Sequence, residues 1–209
     1  MARSSNNLRE ERLNTISHGI GAVWAVFAMF FLLGNNSEKS AYATFSILLY
    51  STTLIAMLVV STVYHAVQDP RLKRRLRILD HINIYFLIAG TYTPVALITL
   101  VNGSGWAIFF IVWAIAAFGT LFKLFYTGRY EFISLLLYLA MGWLIILDFE
   151  NLMDHTPSLG LRFLFLGGAF YTIGILFYVW ERIPYNHFIW HLFVLGGAIS
   201  HWLLIYHVV

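Results

Sequence analysis

Cysteine is absent from this 209-residue chain, charged residues make up only 11% of it, and proline occurs four times. Without cysteine there is no disulfide framework, no thiolate zinc finger, no iron–sulfur cluster and no thiol nucleophile. Soluble domains carry about a quarter charged residues, so a chain this poor in charge cannot clothe a water-facing surface. Disorder needs the opposite bias, and collagen-like or linker sequences need far more than 15 glycines and 4 prolines. What is present instead is 60% hydrophobic and 18% aromatic residues, with a mean hydropathy of +0.75. That is the composition of an integral membrane protein. A formal charge of +3 could answer to nucleic acid, but in so apolar a chain it points to bases in membrane-flanking loops, and no nucleic-acid partner is expected.

Crossing about 30 Å of hydrocarbon at 1.5 Å per residue takes roughly 20 apolar residues. Seven stretches meet that measure, at 18–33, 41–67, 81–101, 106–125, 132–147, 161–180 and 187–209. The breaks between them carry turn chemistry, such as Gly34-Asn35-Asn36-Ser37, Asn102-Gly103-Ser104-Gly105 and Thr127-Gly128-Arg129. Barrel strands would alternate over about ten residues, and these do not. The expected fold is an all-α, seven-transmembrane helix bundle spanning 18–209, behind an N-terminal segment at 1–17. Ala41-Tyr42-Ala43 has the look of a signal-peptidase site, but Glu10 and Glu11 in the leading segment argue against a cleaved leader.

Orientation follows from the bases. Eleven of the 13 Lys and Arg residues fall on one side: Arg3, Arg9 and Arg12, then the run from Arg71 to Arg77, then Lys123, Arg129 and Arg182. Only Lys39 and Arg162 fall on the other. The split fits an odd number of spans, a cytoplasmic N-terminus, an outside C-terminus and residence in the cell membrane.

Ionisable groups inside spans are costly and face the bundle interior or a cavity, so each is a functional candidate. The topology brings several to one depth near the cytoplasmic side: Glu11, Asn14 and His18 on span one, Ser61 and His65 on span two, Asp80 and His81 on span three, His187 and His191 on span seven. His187 and His191 are an i, i+4 pair on one helix face, roughly 5–6 Å apart. Ser61 and His65 repeat that spacing. An i, i+4 pair joined by a third histidine from a facing helix makes the three-nitrogen set of an open zinc site, and imidazole suits zinc without a thiol. Asp80 can then act as general base or outer-shell acceptor, and Ser61 can orient water or donate to a developing oxyanion. Simpler readings exist for each residue: interfacial histidines bonding carbonyls, Asp80 as the N-cap of span three, Ser61 bonding its own helix. Haem would need a second pair of matching axial ligands, and a retinal protein would need a lysine inside the bundle. His201 and His207 lie toward the other side, at least about 15 Å along span seven from His191, and His155 falls in an external loop.

The segments NTISHGIG from Asn14, STVYHA from Ser61, LDHINIYFLIAGTYTP from Leu79, AMGW from Ala140 and RIPYNHFIWHLFVLGG from Arg182 together resemble the hemolysin III family. That family is the bacterial branch of the progestin and adipoQ receptors, and the resemblance runs from Glu11 onward. It implies seven helices with an intracellular N-terminus and a Zn2+ ion held by His65, His187 and His191. It also implies that Asp80 contacts the metal through water and that Ser61 is the motif serine; Glu11, Asn14 and His18 match a family element of less clear role. Adiponectin-receptor relatives are linked to ceramide hydrolysis, and bacterial members to membrane-lipid homeostasis. The expected function is therefore a zinc-dependent hydrolase of a membrane lipid's amide or ester bond. The alternatives are a receptor or sensor with structural zinc, a haemolysin-like cytolysin, and, ranked lower, an ion or proton transporter.

Overall fold

The structure, a computed structural model, describes the backbone of residues 2–209 and the side chains of residues 8–209. Among the described residues seven helices are long and apolar enough to cross a membrane, and the others lie in turns, short helices and irregular links. The chain is an all-helical, multi-pass membrane protein.

Helix α1 (Ala2–Gly34) is longer than the first apolar stretch, so Glu10, Glu11 and Asn14 lie on the same continuous helix as His18. Helix α2 (Ala43–Ala66) carries Ser61 and His65 in its last two turns. Helix α3 (Pro70–Pro94) begins well before residue 81, the expected start of span three. The run of bases from Arg71 to Arg77 is helical because Asp69 caps it: its carboxylate accepts from Arg71 N at 3.1 Å and Leu72 N at 2.7 Å. Pro70 follows at the first helical position, where its missing N–H costs nothing. Asp80 is therefore in the third turn of α3, and the N-cap reading of that residue does not hold.

At Pro94, which cannot donate a backbone hydrogen bond, α3 passes into a π-helical turn, Val95–Thr99. Helix α4 (Gly105–Tyr126) follows. The fifth span is broken into α5 (Glu131–Gly142), a 3₁₀ turn (Leu144–Asp148) and α6 (Phe149–His155). Backbone freed inside a membrane must find a partner, and Tyr92 supplies one. Its hydroxyl donates to Gly142 O at 2.9 Å and accepts from Ile145 N at 3.0 Å. Helices α7 (Ser158–Val179) and α8 (Asn186–Val208) form a tightly packed hairpin.

Helix α1 packs between α2 and α8, α2 packs on α3, and α3 packs on α4 and α5. One apolar core joins α1, α2 and α8 through Leu32, Leu54, Leu58, Val194 and Ile205. A second joins α3, α4 and α5 through Tyr85, Ala89, Val112, Ala116 and Met141. Lipid is as apolar as these side chains, so close fit rather than water exclusion drives the packing. Gly90 shows this: a Cβ there would run into the Thr53 side chain, so glycine lets α3 close on α2.

Candidate metal centre

Three imidazoles converge at the basic end of the bundle. His65 arrives from the last turn of α2, and His187 and His191 from the first two turns of α8. Ring centroids are 4.8 Å apart for His65 and His191, 4.9 Å for His187 and His191, and 5.2 Å for His65 and His187. One nitrogen from each ring can be chosen so that all three lie within 4.8 Å of one another. A zinc bound tetrahedrally at about 2.0–2.1 Å sets its nitrogens about 3.4 Å apart, so small side-chain rotations bring the triad into range. His65 Nε2 and His191 Nδ1 are buried with no hydrogen-bond partner. Buried polar atoms ordinarily find partners, and a cation between the rings would satisfy both. The donor set fits a metal ion.

The surrounding groups come from α1 and α3. Glu11 Oε2 accepts from His65 Nδ1 at 3.0 Å and from Lys73 Nζ at 2.7 Å, and the Asn14 amide lies 3.5 Å from the same histidine nitrogen. Glu10 Oε1 accepts from the backbone N–H groups of His187 at 3.0 Å and Phe188 at 3.2 Å. His18 is buried and stacks on His191, with neither of its own ring nitrogens hydrogen-bonded.

A predominantly apolar cavity of about 440 Å³ lies against the triad. Ser61, Asp80, His187 and His191 all line it at the basic end, and α3, α5, α7 and α8 wall it. The structure thus brings together the three predicted ligands, Asp80 and Ser61. Ser61 is buried and Asp80 is half-buried. His201 lines the same cavity with Leu204, ten residues further along α8, and packs against Gly167. It stays away from the triad but bounds the space the triad opens onto. His155 is exposed, its ring nitrogen paired with Asn151 O at 2.9 Å, and His207 stacks on Phe163.

Two groups of polar residues go beyond the roles read from the sequence, which placed Glu11 and His81 in the polar layer without a partner and did not single out Glu10 or Glu131. Glu10 and Glu11 touch two different ligand-bearing helices; their signal was a pair of carboxylates on the approach to an apolar span. Glu131 gathers Lys123, Arg77 at 3.4 Å and His81 at 3.5 Å, and the Lys123 side chain is only 1% exposed. A lysine and a glutamate on either side of the Thr127-Gly128-Arg129 turn were the readable sign of that cluster. Glu131, His81 and Tyr138 also line the cavity, and Tyr138 donates to His81 O at 2.9 Å.

Residues 6–202 match the family described as Haemolysin-III related. The chain belongs to the haemolysin III family. It is 40% identical to "Hemolysin-3" of Bacillus cereus over 199 residues, covering 95% of this chain and 91% of that one. Identity to the "Hemolysin-3 homolog" of Bacillus subtilis is 39% over 192 residues, covering 91% and 90%. A human relative, "Monocyte to macrophage differentiation factor", is 33% identical over 166 residues, 76% of this chain and 68% of the relative. Membership in the haemolysin III family agrees with the resemblance in the sequence and with the seven membrane-crossing helices. The matched residues take in every member of the triad, together with Ser61 and Asp80.

Proposed function

We propose that this haemolysin III protein is a zinc-dependent intramembrane hydrolase of lipid amide or ester bonds. It would act in membrane-lipid homeostasis in the cell membrane, with its basic end in the cytoplasm. The observation that carries the reading is the meeting of two features. Three imidazoles converge, with His65 Nε2 and His191 Nδ1 buried and unpartnered, and they do so at one end of an apolar cavity that also holds Asp80 and Ser61.

His65, His187 and His191 would hold the ion, and zinc bound there supplies Lewis acidity for the scissile carbonyl. The Asp80 carboxylate takes a proton from the attacking water and passes it to the leaving nitrogen or oxygen. Water adds to the carbonyl carbon, the C–N or C–O bond breaks, and a fatty acid leaves with an amine or alcohol. The Ser61 hydroxyl donates to the carbonyl oxygen as negative charge develops on it. The apolar walls hold an acyl chain and keep bulk water out. The test is turnover of ceramide and of ester lipids by purified protein, beside His191→Ala and Asp80→Asn. Product from the wild type alone supports the reading, and equal product from all three sinks it.

A second reading takes the metal as structural, because the triad joins α2 to α8 and would brace a receptor or sensor. It predicts one zinc per chain, loss of thermal stability on chelation, and no lipid turnover. A cytolytic role rests on the name of the Bacillus cereus relative alone, and dye release from liposomes by purified protein would reveal it.

A further inference from the structure

A histidine binds a metal through one nitrogen, and the hydrogen bond made by the other nitrogen decides which one is free. For His65 that bond is made by Nδ1. The Glu11 carboxylate can only accept, so Nδ1 donates to Oε2 at 3.0 Å and Nε2 is left bare and buried, free to join the other two imidazoles on a metal. Lys73 Nζ, 2.7 Å from the same carboxylate oxygen, balances the charge. The neighbouring residue treats α8 in the same way. The first N–H groups of a helix have no partner within it, and at α8 the residue before the helix is Tyr185, in a left-handed conformation with φ 57° and no side-chain cap. Glu10 supplies the cap from another helix, accepting from His187 N and Phe188 N, and its negative charge suits a helix N-terminus. Residues adjacent on a helix point about 100° apart. Because α1 lies between α2 and α8, consecutive carboxylates reach one helix each.

We propose that Glu10 and Glu11 are positioning residues of the metal centre. Glu11 holds His65 with its proton on Nδ1 and Nε2 turned toward the metal, and Glu10 fixes the turn of α8 that carries His187 and His191. The inference rests on the metal reading of the triad. It makes the approach segment of α1 part of the site, although that segment contributes no metal ligand.

The experiment uses the full-length protein in detergent, with zinc alone titrated against a chromophoric chelator. Glu11→Ala is expected to weaken zinc binding ten- to a hundredfold, as loss of an outer-shell carboxylate does. Glu11→Gln, whose amide oxygen still accepts from Nδ1, recovers part of that loss. Glu10→Ala weakens binding about fivefold, as loss of a helix cap would. Two further readouts separate positioning from a merely structural ion pair. Cobalt substituted for zinc should show a changed visible spectrum in Glu11→Ala. Nitrogen-15 NMR of zinc-free protein should find His65 protonated on Nδ1 in the wild type and mixed between tautomers in Glu11→Ala.

Unchanged zinc affinity in the Glu11 variants of a zinc-binding wild type overturns the inference and leaves the triad standing. An unchanged His65 tautomer in Glu11→Ala also overturns it. A wild type that takes up no zinc overturns the triad reading instead, and the tautomer of the zinc-free protein then decides by itself whether Glu11 orients His65.

Discussion

The His18 ring lies flat against the His191 ring, with centroids 3.7 Å apart and planes inclined by 21°. The contact joins α1 to α8 beside the triad and limits how the His191 ring can turn. His18→Ala removes the supporting face and is expected to weaken zinc binding by about tenfold, the low end of the range for outer-shell losses. His18→Phe keeps the stacked face and retains most of the affinity. Zinc competition titration of the two variants checks this, and equal losses would make the ring nitrogens, not the stack, responsible.

Asp80 and Ser61 line the cavity without belonging to the triad, so zinc binding and turnover should separate at these positions. Asp80→Asn is expected to keep one zinc per chain while lipid hydrolysis falls about a hundredfold or more, as for loss of a general base. Ser61→Ala should keep zinc and lose about a hundredfold, the lower bound for removing an oxyanion donor. Metal analysis and lipid turnover on the same preparations check both.

Gly168 lines the cavity, and a Cβ at that position meets nothing within 4 Å. Gly168→Leu therefore grows into the space without a backbone clash. Glycine is also a poor helix former relative to leucine, so α7 loses no stability. The expected result is slower lipid turnover with zinc content unchanged. Full activity in this variant would show that the substrate does not use this part of the cavity.

The Lys123 ammonium is buried against Glu131, and breaking one partner of a buried pair costs about 3 kcal/mol because the other charge is stranded. Glu131→Gln should lower the unfolding temperature in detergent accordingly. The double change Glu131→Leu with Lys123→Met should recover most of the loss. A double variant no more stable than the single one would mean that the Arg77 and His81 contacts to Glu131 carry the effect.

How far the sequence could be read depended on whether a signal was local. Seven apolar runs show the spans directly, because each must satisfy its own backbone within the bilayer. The four-residue spacing of His187 and His191 puts both on one face whatever surrounds them. The early start of α3 was also present, in Asp69-Pro70, but five bases between Arg71 and Arg77 read as a loop when charge alone is weighed. The break in span five at Trp143 depends on Tyr92, 51 residues earlier, to satisfy the freed backbone. Glu10 depends on α8 returning to pack against α1, and Glu11 on α2 and α3 bringing His65 and Lys73 to it, closures that no local pattern encodes. The stack of His18 on His191 depends on the closure of α8 on α1.

The hydrolase and the structural-zinc readings both pass through one ion, so metal content is the most direct measurement. Full-length protein and His191→Ala, purified without chelator and analysed for bound metals, should contain one zinc per chain and close to none, respectively. The wild type should also lose thermal stability on chelation, by about 2.7 kcal/mol when free zinc had stood at a hundred times its dissociation constant. A wild type without zinc, or equal zinc in the wild type and His191→Ala, would contradict the account.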